Sequence, residues 1–139
     1  MLAPMREELT RLGIRELRTA GEVDAALAEH SGATMVVVNS VCGCAAGRLR
    51  PAVRLALQHS TLPEKIVSVF AGQDREATER ARSYFTGQPA TSPSVALLRD
   101  GKLVYMLHRH EIENREAPAI AADLKSAFDR ICSKTAAAV

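Results

Sequence analysis

The run Thr34-Met35-Val36-Val37-Val38-Asn39 constrains this chain more than any other feature, because it is apolar and β-branched with no polar alternation. A strand with one wet face alternates. An unalternating run reads as a strand covered on both faces, the condition of a central strand in a largely parallel sheet with helices on each side. Such a sheet needs helical crossovers, and the flanking sequence offers them. Met5, Leu9 and Leu12 predict a short N-terminal helix stopped by Gly13, and Ile14 to Arg18 predicts a short edge strand. Thr19 and Glu22 form a capping box ahead of Val23, Ala26, Leu27 and His30, with Gly32 as the stop.

The second half continues the pattern. Ala45, Leu49, Ala52, Val53, Ala56 and Leu57 make one helical stripe from Ala45 to His59, in which Pro51 predicts a kink near Gly47. Ile66 to Ala71 predicts another buried strand. Asp74 is placed to cap a helix carrying Ala77, Ala81, Tyr84 and Phe85 that stops at Gly87. Val95 to Leu98 and Leu103 to Leu107, joined by Asp100-Gly101, predict an antiparallel hairpin. A last helix with Pro118 in its first turn buries Ile120, Leu124, Phe128 and Ile131, and the tail from Thr135 to Val139 is expected to fray. The order is a helix followed by βαβαβαββα, the thioredoxin-like arrangement. The expected fold is therefore α/β, a mixed central sheet with helices on both faces and an additional N-terminal helix, in a single domain over 1–139.

Composition narrows the function classes. The chain has 139 residues, 47% hydrophobic and 24% charged, a balance suited to one globular domain. Aromatic residues make up 4% and Trp is absent, so the core must be aliphatic and base-stacking platforms are not expected. A net charge of +2 gives no reason to expect a nucleic-acid partner. No run approaches the roughly 18 apolar residues of a membrane span, and the charged opening residues do not read as a signal peptide, so the expected setting is the cytoplasm without membrane association. The 3 cysteines, Cys42, Cys44 and Cys132, are an odd set for a reducing compartment, which argues against a structural disulfide framework.

Cys42-Gly43-Cys44 lies directly after the buried strand and directly before a helix, the strand-to-helix position where open α/β sheets place their sites. A thiol there faces unpaired amides and the positive end of the helix dipole, so its thiolate is favoured. The spacing alone also suits a metal or a structural role; the context favours redox chemistry. A disulfide closed over one residue is tighter than one closed over two and should be more easily reduced, with Gly43 supplying backbone freedom. Pro93, in Thr91-Ser92-Pro93-Ser94, precedes the first hairpin strand. It reads as an ordinary turn, or as the cis proline that thioredoxin-like topology places opposite the redox cysteines to shape the substrate groove.

The run Val36-Val37-Val38-Asn39-Ser40-Val41-Cys42-Gly43-Cys44-Ala45-Ala46-Gly47 with Arg50-Pro51-Ala52 closely resembles the bacilliredoxin family. So do Val69-Phe70-Ala71-Gly72-Gln73-Asp74, Tyr84-Phe85-Thr86-Gly87-Gln88, Ser92-Pro93-Ser94 and Arg109-His110-Glu111-Ile112, over about Pro4 to Cys132. The resemblance implies an enzyme that removes bacillithiol from S-bacillithiolated proteins, with Cys42 as attacking thiol. Bacillithiol is then a thiol substrate and product rather than a bound cofactor, and a recycling reductant is needed. Cys44 is the expected resolving thiol. Bacillithiol carries malate carboxylates that suit Arg48, Arg50 or Arg54; the plainer reading of those arginines is a solvated helix face. Asn39 and Ser40 either hydrogen-bond a mixed disulfide or end the strand. His108 and His110 read as strand-end surface residues, with a base or metal ligand as the alternative. Cys132 reads first as a small buried hydrophobe, and by the resemblance as a possible third redox thiol able to pair with Cys42 or Cys44. No metal is expected. The competing functions are a general protein disulfide reductase or isomerase and, outside enzymes, a metal-binding module built on Cys42, Cys44 and one or both of His108 and His110.

Overall fold

A computed structural model describes residues 2–28 and 32–132. In chain order the elements are α1 (Leu2–Thr10), β1 (Arg15–Glu16), α2 (Ala20–Leu27), β2 (Ala33–Asn39), a π-helical turn (Ala45–Leu49), α3 (Arg50–Ala56), β3 (Lys65–Phe70), α4 (Arg75–Arg82), β4 (Ser94–Arg99), β5 (Lys102–Leu107), α5 (Arg109–Ile112) and α6 (Ala117–Ile131). The sheet order is β1-β3-β2-β4-β5. β3 runs parallel to both β1 and β2, while β2 with β4 and β4 with β5 are antiparallel.

All of β2 is buried, as its unalternating sequence requires. Met35 and Val37 join Leu9, Val53, Ala56, Leu124 and Phe128 on one face of the sheet, so that α1, α3 and α6 cover this side. Val36 and Val38 join Val23, Leu27, Ala77 and Ala81 on the other, under α2 and α4. Period-two geometry thus sends successive valines to two separate cores. The expected hairpin is present: Asp100 and Gly101 both have positive φ, 53° and 80°, the geometry of a two-residue turn matched to the twist of the strands.

Four local expectations need correction or completion. The irregularity forced by Pro51 is a π turn over Ala45–Leu49 with the Arg50 amide bonded to the Ala45 carbonyl, a widened turn that leaves room for the proline ring. Asp74 occupies the N-cap position of α4 without capping it, because its carboxylate is taken by Arg6 at 2.6 and 3.2 Å. His108 is not a surface residue: it is 7% exposed and starts the short helix α5, which sequence periodicity did not predict. His30 and the tail 135–139 lie outside the described residues. No helix among the described residues is long and apolar enough to cross a membrane.

Candidate active site

The site is built where β2 runs out. Asn39, the last residue of β2, is buried, and its Oδ1 accepts the Ser40 amide at 2.9 Å, turning the chain out of the sheet. The Cys42 amide donates to Ser40 Oγ at 3.2 Å. The Cys42 carbonyl then accepts the Ala45 and Ala46 amides at 3.1 and 3.2 Å, which winds the chain into the first helical turn. Cys42 and Cys44 are both free thiols of intermediate exposure on this turn.

Four groups and the burial of the sulfur decide the acidity of Cys42. Burial is the largest single influence and opposes ionisation; against it act the Ser40 hydroxyl, the Ala45 and Cys44 amides, and the positive charge of Arg109. Together they win, and the thiol is held below its ordinary value. The amides belong to the first turn after the strand, so the sequence position of the C-G-C motif is itself the cause of part of the effect.

Arg109 opens one of the runs that resemble the family, where the sequence gives it no role, yet it joins three parts of the site. Its Nη1 donates to the Ser92 carbonyl at 3.2 Å, its Nε to Glu113 Oε2 at 3.1 Å, and its charge acts on Cys42. The hairpin register explains its place. Leu107 pairs with Val95 and Ser94 pairs with Val38, so the end of β5, the start of β4 and the end of β2 meet at one edge of the sheet. Counting two residues past Leu107 on that register is the signal that finds Arg109. The same edge holds the Ser92-Pro93 peptide, which is cis. Pro93 is buried, so any influence on an incoming chain passes through the shape of the backbone from Thr91 to Ser94.

The remaining candidates divide sharply. Arg50 is 3% exposed rather than solvated, and it bonds Glu8, Asn39 and the Ser40 carbonyl. Arg48 donates to the Arg115 carbonyl and to Glu116 Oε2, both at 3.0 Å, bracing α6 instead of facing the cysteines. Arg54 is exposed on α3. His108 places its two ring nitrogens 2.8 Å from Thr91 Oγ1 and Gln88 Oε1, and His110 stacks on it at 5.9 Å. Both nitrogens of His108 are therefore engaged, and among the described residues no three His, Cys, Asp or Glu side chains are grouped to hold a metal.

Cys132 is not brought to the other two thiols. It ends α6, packs against the core on that side, and lies within the electrostatic reach of Arg99 and Glu64. Arg99 pairs with Ala33 at the start of β2, whereas Cys42 follows the end of that strand. Seven residues of strand separate the two ends, roughly 20 Å, against the 4 to 7 Å that a disulfide allows between Cα atoms. Burial pushes the Cys132 thiol up to about 11, against a lowering by Arg99.

Comparison with known proteins agrees with this arrangement. Residues 1–132 match a family described as disulphide isomerase. A bacilliredoxin of Koribacter versatilis is 59% identical over 138 residues, spanning 99% of this chain and 95% of that one. A bacilliredoxin of Geobacillus kaustophilus is 52% identical over 129 residues, spanning 93% and 88%. The chain belongs to the bacilliredoxin family.

Solved structures agree on the fold of this bacilliredoxin-family chain. Fasciola hepatica thioredoxin matches with a TM-score of 0.58 at 21% identity, covering 85% of this chain and 99% of that one. A Schistosoma mansoni thioredoxin matches with a TM-score of 0.57 at 19% identity, covering 83% and 97%. The fold is thioredoxin-like, and fold and family together make the chain a thiol-disulfide oxidoreductase.

Proposed function

We propose that this oxidoreductase removes bacillithiol from S-bacillithiolated proteins. The observation that carries the reading is the setting of Cys42: a partly exposed thiol, acidified by Ser40, two helix-start amides and Arg109, with a second thiol two residues further along. The naming of its relatives as bacilliredoxins supports the choice of substrate.

In the proposed cycle the Cys42 thiolate attacks the bacillithiol sulfur of the mixed disulfide. The client sulfur leaves as a thiolate and takes up a proton, and a new disulfide joins Cys42 to bacillithiol. Cys44, as thiolate, then attacks the Cys42 sulfur, expels bacillithiol and leaves a Cys42-Cys44 disulfide. Two electrons have passed from the cysteine pair to the client, and a dithiol or two thiols of the cytoplasm must return them. No bound cofactor takes part. Arg50 is buried among Glu8, Asn39 and Ser40 and Arg48 is turned to Glu116, whereas exposed Arg109, although it also bonds Glu113 and Ser92, is the guanidinium whose charge acts on both Cys42 and Cys44, and it is the one proposed to meet a carboxylate of bacillithiol.

The family description favours one competing reading, isomerisation or reduction of protein disulfides. The two are separated by comparing turnover of a bacillithiolated test protein with reduction of an insulin-type disulfide. Fast release of bacillithiol with slow insulin reduction supports the proposal, and the reverse order contradicts it.

A further inference from the structure

The loop that carries Cys42 is tied to an element that thiol-disulfide exchange does not itself require, the N-terminal helix α1. Arg50 reaches its acceptors from two directions: Glu8 Oε1 at 2.7 Å on α1, and Asn39 Oδ1 and the Ser40 carbonyl at 2.9 Å each at the end of β2. Asn39 closes the set from the other side, its Nδ2 donating to the Met5 carbonyl of α1 at 3.2 Å while its Oδ1 accepts the Ser40 amide. Both backbone polar groups of Ser40 are thereby fixed. Its hydroxyl group is the one that meets the Cys42 amide and sulfur.

A guanidinium as buried as Arg50 is strongly unfavourable without an anionic partner. Glu8 supplies that partner and is itself 37% exposed. Docking of α1 has other support, since Arg6 pairs with Glu16 at 2.9 Å and Asp74 at 2.6 Å, lies over the Phe70 ring, and Leu9 is buried in the core. Glu8 is therefore placed to hold Arg50 rather than to hold the helix.

We propose that Glu8, Arg50 and Asn39 are positioning residues of the thiol site: α1 fixes Arg50 and Asn39, these fix the backbone of Ser40, and Ser40 fixes Cys42. The inference rests on Cys42 being the attacking thiol. It predicts that a substitution on α1, where it faces Arg50, alters the chemistry of a cysteine at the far end of this relay, while Cys44 and Arg109, with its partner Glu113, stay as they are.

The test is the rate of Cys42 alkylation by iodoacetamide, read by peptide mass spectrometry across a pH series in the full chain. Glu8→Ala and Arg50→Met should each slow alkylation at neutral pH by on the order of three- to tenfold, the net effect of weakening one hydrogen bond, and move the profile to higher pH. Glu8→Gln, which keeps an acceptor for Arg50 Nε but removes the anion, should fall between the wild type and Glu8→Ala. The double variant Glu8→Ala with Ser40→Ala should be no slower than Ser40→Ala alone, because both act through one hydroxyl. Should Arg50→Met fail to fold, the Glu8 variants carry the test. A Glu8→Ala profile that overlays the wild type, or a double variant slowed by the product of the single effects, would overturn the proposal. Because no mixed disulfide is used, these outcomes are independent of the substrate. Wild-type Cys42 alkylated no faster than Cys132 would instead remove the attacking thiol, and the inference with it.

Discussion

Cys42 and Cys132 show how one side-chain chemistry is divided by its surroundings. At Cys42 burial is opposed by Ser40, two amides and Arg109, and ionisation is favoured; at Cys132 burial dominates and ionisation is suppressed to about 11. Thiolate absorbance titration of single-cysteine variants should therefore show Cys42 below the ordinary thiol range. Ser40→Ala and Arg109→Gln should each shift it upward, the second by less in high salt because Arg109 is exposed. The raised value at Cys132 has a consequence for stability. Its folded pKa exceeds its unfolded one, so the stabilisation is complete below the ordinary thiol range and is lost as pH rises toward 11. Tyr105, pushed up to about 12 chiefly by burial, acts in the same direction. Melting temperature should fall through this alkaline window, and less steeply in Cys132→Ala; an identical slope would mean that Cys132 is open to solvent. The motif and its position were legible in the sequence. Ser40 and Arg50 were named there too, but as contacts for a mixed disulfide and a carboxylate; that Ser40 meets Cys42, that Arg50 is buried behind Ser40, and that Arg109 acts on Cys42 all depend on turns and register that a one-dimensional pattern does not record.

At the scale of elements, the legible features were those whose cause is local. The capping box at Thr19 is present, with Glu22 N donating to Thr19 Oγ1 at 3.1 Å and Thr19 N to Glu22 Oε1 at 3.2 Å. The strand covered on both faces and the Asp100-Gly101 turn also follow from neighbouring residues alone. What failed was nonlocal: Asp74 has the right residue type for a cap, and Arg6, 68 positions away, takes its carboxylate. The π turn lies between these cases, since Pro51 announces an irregularity without specifying its form. Thr19→Ala should lower stability by about 1 kcal/mol in denaturant unfolding, the usual value of a lost N-cap. Because α2 covers the face opposite α3, Cys42 alkylation should be unchanged in that variant; a matching loss of reactivity would show that the two faces are coupled.

Across the whole molecule, sheet polarity sorts the chemistry. β2 points its C-terminal end at the C-G-C turn, and the antiparallel hairpin returns the cis Ser92-Pro93 peptide and Arg109 to the same edge, while α6 carries Cys132 to the opposite one. The thioredoxin-like order of elements was readable from the sequence. The separation of Cys132 was not, because helical periodicity assigns a face without saying at which end of the sheet the helix stops. The central claim is that Cys42 attacks and Cys44 resolves, with Cys132 outside the cycle. It is tested most directly by intact and peptide mass spectrometry of Cys44→Ala after exposure to a bacillithiolated client. A stable adduct carrying one bacillithiol, located on Cys42, is the expected result; an unmodified protein, or an adduct on Cys132, would contradict these roles.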